Sequence, residues 1–267
     1  MKGFSDRERE RYARQIVLPE WGEEGQRKLK QATVFVAGAG GLGSSAIFYL
    51  AAAGVGCIRV CDRGRIELAN LNRQILHGER TIGMRKSISA RKTVARLTRE
   101  IVVVPLAVEM SAENVEELAA GADILLDCLD NVPGRMVLNG LSVRSHIPMV
   151  HAGVRALGGQ LSFLRPPATP CLACFMEEPA DGIGADGLDA AQQPPPILGA
   201  TAGVVGCLQA LEALKYITGI GERAESRLVF FDGEAMSFDE VRIARNPGCP
   251  VCGCGAVTTA VLTASRS

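Results

Sequence analysis

The segment Thr33-Val34-Phe35-Val36-Ala37 runs directly into Gly38-Ala39-Gly40-Gly41-Leu42-Gly43. No other feature limits the possible folds so sharply. A β-branched run, a G-x-G-x-x-G turn and an apolar helical stretch to about residue 53 form the opening of a β-α-β unit. Glycines at Gly38, Gly40, Gly41 and Gly43 permit the tight turn and let backbone N–H groups approach a phosphate. The helix N-terminus that follows favours an anion. Residues 57–61 form a second strand ending in Asp62. An acid about twenty residues after the turn is placed to accept from ribose hydroxyls. These residues predict a nucleotide site and leave two occupants open, a dinucleotide such as NAD or a nucleoside triphosphate.

The remaining pattern extends this unit. Residues 5–30 read as charged N-terminal helices with Tyr12, Ile16 and Trp21 as apolar anchors. Helical character returns at 82–99, 112–119 and 131–145, with strands at 101–104, 123–127 and 148–150 between and after them. This alternation predicts a doubly wound α/β sheet, parallel in its N-terminal half. Beyond 150 the character changes. Residues 158–164 are strand-like, 171–174 form a cysteine knuckle, and 177–196 read as a long mobile loop, of a length that is usually functional or disordered. A helix follows at 197–218, with Leu208, Leu211, Leu214 and Ile217 expected on its packed face. Residues 228–231 and 236–243 close the sheet as antiparallel strands. The expectation is one domain over 1–267. It divides into N-terminal helices (1–30), a nucleotide-binding half (31–150), a partner-binding half with the loop and knuckle (151–255), and a polar tail (256–267).

Charge sharpens the choice of ligand. The chain carries 29 Lys+Arg against 29 Asp+Glu, a formal net charge of zero. That balance argues against generic binding to nucleic acid or an acidic membrane. The charges are nonetheless segregated. Residues 63–99 hold ten basic and two acidic residues, and 100–130 hold eight acidic and no basic ones. A pyrophosphate needs few cations, whereas a triphosphate with Mg²⁺ needs more. Asn70, Arg73 and Lys86 follow Asp62 within 25 residues and are candidates for such a ligand, while Arg80, Arg85, Arg91 and Arg96 read as solvated helix faces. Asp130 and Asn131 follow the fourth strand at its carboxyl end, where open α/β sheets bind ligands. Asp130 is placed to coordinate Mg²⁺, and its competing role is to cap the next helix.

The nine cysteines are the second constraint. The first thirty residues are dense in charge and lack an apolar export core, so a cytoplasmic, reducing setting is expected. There, metal binding outranks disulfides. Cys171-x-x-Cys174 and Cys249-x-x-Cys252 are two pairs of the spacing that holds one tetrahedral ion, and structural zinc is the expected occupant. Cys57, Cys61, Cys128 and Cys207 read as packed apolar residues and Cys254 as a spare thiol. His77, His146 and His151 show no ligand spacing and are assigned no chemistry. The uncharged runs 31–58 and 192–211 are broken by glycines or prolines and read as buried elements, not membrane spans.

Taken together, several motifs resemble one family. They are Arg11-Tyr12-x-Arg14-Gln15, the glycine turn, Asp62, Asn70-Leu71-x-Arg73-Gln74, Gly83-x-x-Lys86, Asp127-Cys128-x-Asp130-Asn131 with Arg135 and Asn139, and Asn246-Pro247-Gly248-Cys249-x-x-Cys252. The sequence resembles the ThiF/MoeB/HesA adenylyltransferases, relatives of ubiquitin-activating enzymes, from Arg11 to about Gly253. The resemblance implies a Rossmann-like mixed sheet and ATP with Asp62 on its ribose. It implies phosphate contacts from Asn70, Arg73 and Lys86, Mg²⁺ on Asp130, and structural zinc on the four cysteines. It also implies a homodimer in which Arg14 reaches the neighbouring subunit's ATP. The substrate it implies is the C-terminal Gly-Gly tail of a ubiquitin-like sulfur carrier, adenylated with release of pyrophosphate in molybdopterin- or thiamin-type sulfur transfer. Many family members carry a cysteine in the loop crossing the site. Residues 177–196 contain none, and the usual position falls near Gln192. Adenylation is therefore the step the sequence supports, and a thioester or persulfide step is left open.

Three alternatives stay open at this level. A small carboxylic acid could replace the carrier tail. An NAD-dependent oxidoreductase would use the same glycine turn but leave Arg73, Lys86 and Asp130 without a task. A zinc-stapled scaffold would bind a carrier without releasing pyrophosphate.

Overall fold

The computed structural model of the protein describes residues 4–176 and 196–253. The expected loop at 177–196, apart from Pro196, and the tail with Cys254 lie outside those residues. Eight strands form one sheet in the order β3-β2-β1-β4-β5-β6-β7-β8. The strands are β1 (Thr33–Ala37), β2 (Cys57–Cys61), β3 (Val102–Leu106), β4 (Ile124–Asp127), β5 (Met149–Arg155), β6 (Gly158–Leu164), β7 (Arg227–Asp232) and β8 (Ser237–Arg242). Pairing is parallel from β3 through β5 and antiparallel from β5 through β8. The mixed Rossmann-like sheet expected from the sequence is the observed architecture.

Alternation along β1 sets the layers. Val34 and Val36 enter one core with Ile47, Leu50, Ile58 and Phe163, whereas Phe35 and Ala37 enter a second with Leu125, Leu138, Leu141 and Met149. A strand buried on both faces reads as a continuous apolar run, as β1 and β4 do. Helices α1 (Asp6–Ile16) and α2 (Gly22–Gln31) precede the sheet. Helices α3 (Gly41–Ala53), α4 (Lys86–Leu97), α5 (Val115–Leu118), α6 (Val132–Ser145) and α7 (Gly199–Thr218) are distributed along it. Helix α1 opens on a reciprocal capping box between Ser5 and Glu8, which satisfies two orphan N–H groups.

Three expectations are corrected. Helix α4 starts at Lys86 rather than residue 82, because Gly83 adopts φ +82° and Arg85 is extended. Strand β5 continues to Arg155 because β6 pairs with it along its whole length. On α7 the closest-packed face is not the leucine face. Ala202, Val205, Gly206, Gln209, Ala210 and Ala213 are buried, while Leu211 is 51% exposed. Leu208, Leu214 and Ile217 pack around the edge of that core. The reason is backbone proximity. A Cβ on Gly206 would lie 2.3 Å from the Leu42 carbonyl oxygen of α3, so only small residues fit between α3 and α7.

Candidate active site

The site assembles where the parallel strands end. A cleft of about 870 Å³ is lined by Gly38, Gly40, Gly41, Asp62, Arg73, Lys86, Asp130 and Asn131, among others. Strand β1 delivers the glycine turn, β2 ends one residue before Asp62, and β4 ends three residues before Asp130. The cleft therefore lies at the carboxyl edge of the sheet, where the chain separates toward opposite faces.

The turn owes its shape to a few contacts. Gly38 sits at φ +97°, a region that only glycine occupies without strain. Its N–H donates to the Cys61 carbonyl at 2.8 Å, and a Cβ there would meet the Cys128 carbonyl oxygen at 2.6 Å. The next peptide is held at both ends. Ala39 N–H donates to Asp62 Oδ2 at 2.8 Å, and the Ala39 carbonyl lies 3.0 Å from His77 Nε2. A carbonyl only accepts, so Nε2 carries the proton and Nδ1 accepts from Ser89 Oγ at 3.1 Å. Burial pushes the His77 imidazole below its ordinary pKa, in keeping with this neutral form. Helix α3 begins on Gly40 with no side-chain cap, leaving its first N–H groups facing the cleft for an anion.

The charged residues sit around this turn. Asp62 accepts from Ala39 N and, through Oδ1, from Gly64 N at 2.7 Å. Each oxygen retains a lone pair for a ribose hydroxyl. Lys86 is the first residue of α4 and is half-buried. Arg73 donates to Ala69 O and Asn72 Oδ1 at 3.1 and 2.9 Å. Among the described residues, Arg73, Lys86 and Asp130 have no ion-pair partner. Asp130 does not cap α6. Asn131 does, accepting from Gly134 N at 2.9 Å, so Asp130 remains exposed at the cleft rim.

Three assigned residues stand apart from the lining. Gly43 lies inside α3, where its missing Cβ allows the Gly38 carbonyl to approach. Asn70 turns back on its own loop, accepting from Glu67 N at 3.1 Å. Arg14 is exposed in the last turn of α1 and does not line this chain's cleft.

The floor of the cleft contains a network that motif spacing did not assign. Asp127 and His151 are fully buried, and His151 Nδ1 lies 2.7 Å from Asp127 Oδ2. Arg135 Nη1 is 3.5 Å from that same oxygen and donates to Ala152 O at 2.8 Å, while Nη2 donates to Leu129 O at 2.6 Å. Gln160 Nε2 lies 3.3 Å from His151 Nε2. With the proton on Nδ1, the ring donates to Asp127 and Nε2 accepts from Gln160, and Arg135 Nη1, 3.2 Å from Nδ1, makes no hydrogen bond to the ring. Burial pushes the His151 pKa down, against the pull of Asp127. The imidazole is neutral, and Asp127 and Arg135 balance each other. Cys128, beside the cleft, is also inert: burial raises its thiol far above its ordinary range, and its S–H lies 3.3 Å from Gln209 Oε1. Cys61 is pushed up to about 12 by the same cause.

The four paired cysteines converge outside the cleft lining. The Cys171–Cys249, Cys171–Cys174 and Cys174–Cys252 sulfur separations are 3.7, 3.9 and 3.4 Å. All four sulfurs lie within 4.8 Å of one another. Zinc–sulfur bonds of about 2.3 Å at tetrahedral angles require sulfurs about 3.8 Å apart, so the cluster has the dimensions for that ion. Cys57 and Cys207 take no part in it.

A profile of the ThiF family matches residues 12–251. The chain belongs to the ThiF family. It is 41% identical over 249 residues to the SAMP-activating enzyme E1 of Haloferax volcanii, covering 93% of this chain and 90% of that protein. It is 36% identical over 254 residues to the molybdopterin-synthase adenylyltransferase of Salmonella typhimurium, covering 95% of this chain and 100% of that protein. Among solved structures, Escherichia coli MccB with ATP superposes with a TM-score of 0.81 at 25% identity, covering 91% of this chain and 73% of that one. The chain is thus an adenylyltransferase by family. No helix among the described residues is long and apolar enough to cross a membrane.

Proposed function

We propose that this ThiF-family protein uses ATP to adenylate the C-terminal glycine carboxylate of a ubiquitin-like sulfur carrier. One observation supports this most strongly: a single cleft gathers a glycine turn, Asp62, Arg73, Lys86 and Asp130 at the carboxyl edge of the sheet. Asp62 holds the ribose, and the glycine turn with Arg73 and Lys86 holds the phosphates; Asn70 would join them only by turning from its bond with Glu67 N. A carboxylate oxygen attacks the α-phosphorus, the bond to the α–β bridging oxygen breaks, and pyrophosphate leaves. The nucleophile is already ionised at pH 7, so the protein needs no general base. Its task is alignment and charge compensation. Arg73 and Lys86 offset the negative charge that gathers on the departing pyrophosphate. Asp130, with Asn131 beside it, would hold Mg²⁺, which when bound adds further positive charge there.

The acting form in this reading is a homodimer. Arg14 lies away from its own cleft, placed to serve the second copy's ATP. The exposed apolar side chains Tyr49, Leu68, Ile75, Val204 and Leu211 are suited to cover by that copy. Zinc on Cys171, Cys174, Cys249 and Cys252 staples the segment after β6 to the C-terminal loop. A cytoplasmic setting supplies both ATP and reduced thiols. The decisive assay is carboxylate-dependent ATP–pyrophosphate exchange with candidate carriers. Asp130→Ala or Lys86→Ala is expected to abolish exchange in a folded protein. Wild-type exchange in either variant overturns the assignment, and carrier binding with no pyrophosphate release by the unmutated protein would favour a scaffold.

A further inference from the structure

The metal cluster is not isolated from the rest of the fold. Asn139, in the middle of α6, is fully buried. Its Oδ1 accepts from Leu172 N–H at 2.8 Å, and its Nδ2 lies 3.7 Å from Cys171 Sγ. A backbone N–H only donates, so the Leu172 contact fixes which end of the amide is oxygen. The NH₂ end must then face the sulfur. Cys171 is itself fully buried and touches both Cys174 and Cys249. A ligating cysteine is a thiolate, and four thiolates around one Zn²⁺ leave two net negative charges to be offset by the surrounding protein. An amide N–H held rigidly against one of these sulfurs does this, and it orients the ligand before metal arrives.

We propose that Asn139 is the residue outside the sulfur tetrahedron that sets zinc affinity, by donating to the Cys171 thiolate while its oxygen anchors the knuckle backbone. The proposal rests on the zinc reading above. Groups that support a ligand in this way cost about 10- to 100-fold in metal affinity when removed. The test is competition for Zn²⁺ between the full chain and a chromogenic chelator, run on wild type, Asn139→Ala and Asn139→Asp. Asn139→Asp keeps an oxygen for Leu172 N–H but turns a second oxygen toward the sulfur. It therefore separates anchoring of the backbone from donation to the thiolate. Both variants should bind Zn²⁺ about 10- to 100-fold more weakly, with Asn139→Asp affected at least as much as Asn139→Ala. Unchanged affinity in Asn139→Ala overturns the proposal, as does unchanged affinity in Asn139→Asp. If either variant fails to fold by circular dichroism, Asn139→Ser is measured in its place. Its single hydroxyl is expected to give an intermediate loss, and wild-type affinity there overturns the proposal. A wild-type chain that takes up no zinc at all is a distinct result, which removes the zinc reading itself and this proposal with it.

Discussion

Gly43→Ala tests how tightly the nucleotide turn is built. A Cβ at Gly43 would lie 2.1 Å from the Gly38 carbonyl oxygen and 3.0 Å from its carbon. Carbon–oxygen contacts of this kind close to about 3.3 Å at best, so the backbones must separate by roughly 1 Å. The turn has little room to yield. Gly38 N–H is bonded to Cys61 O, the Ala39 peptide is held by Asp62 and His77, and Cys128 O lies on the far side. Forcing a methyl into such a site costs about 1–3 kcal/mol, offset by about 0.8–1 kcal/mol of gained helix propensity. For a domain of this size about 1 kcal/mol lowers Tm by about 2–4 °C, so calorimetry should show a drop of a few degrees. Displacing one N–H from a phosphate forfeits a charge-assisted bond of about 1.5–3 kcal/mol. Titration with a non-hydrolysable ATP analogue should then show about 10- to 100-fold weaker binding. Gly203→Ala is the control. Nothing lies within 4 Å of a Cβ there, and its position inside α7 predicts a small gain in stability. If Gly43→Ala melts and binds nucleotide like wild type, the account of the turn is wrong.

Two further outcomes follow from buried groups. His77 and His151 are held neutral by burial. Below the unfolded histidine pKa of about 6.5 the unfolded chain takes up protons that the native fold refuses, so stability falls as pH drops, by up to about 1.4 kcal/mol per pH unit for each histidine. Urea melts between pH 7.5 and 5.5 check this above the range where carboxylates titrate, and a flat profile would contradict it. Cys171→Ser should lose stoichiometric zinc and melt several degrees lower, both read on the same preparation by metal analysis and calorimetry; an unaltered melting temperature refutes a structural ion.

Periodicity and glycine chemistry make the parallel half of the sheet legible from residues alone. Thr33–Ala37 is β-branched and continuous because β1 is buried on both faces, and Gly38 announces a left-handed backbone. Cysteine spacing likewise announces the four-cysteine cluster, since two intervening residues in each pair are a local constraint. What sequence reading misses depends on distant backbones. The packed face of α7 is set by Leu42 O of α3, 164 positions before Gly206, so a count of leucines selects the wrong stripe. The length of β5 is set by its hairpin partner rather than by His151-Ala152-Gly153. Asp130 is freed from capping only because Asn131 takes that role.

The histidine reading shows the same limit at the site itself. A lone His151 has no ligand spacing, so motif logic passes over it, yet its partners Asp127 and Arg135 both belong to the motif that the sequence singles out. One local signal was available. Asn131, Arg135 and Asn139 recur every four residues, which on a helix places them along one face, about 40° apart. Three polar residues on one stripe of a helix packed against a sheet must each find a buried or functional partner. They do, in order along α6: Asn131 caps the helix beside Asp130, Arg135 balances Asp127 beneath the cleft, and Asn139 meets the cysteine knuckle. Helix α6 thus runs from its cap at Asn131, beside Asp130, past Arg135 to the Asn139 contacts at the cysteine knuckle. Polar spacing at the helical period therefore traces one helix from the cleft to the four-cysteine cluster.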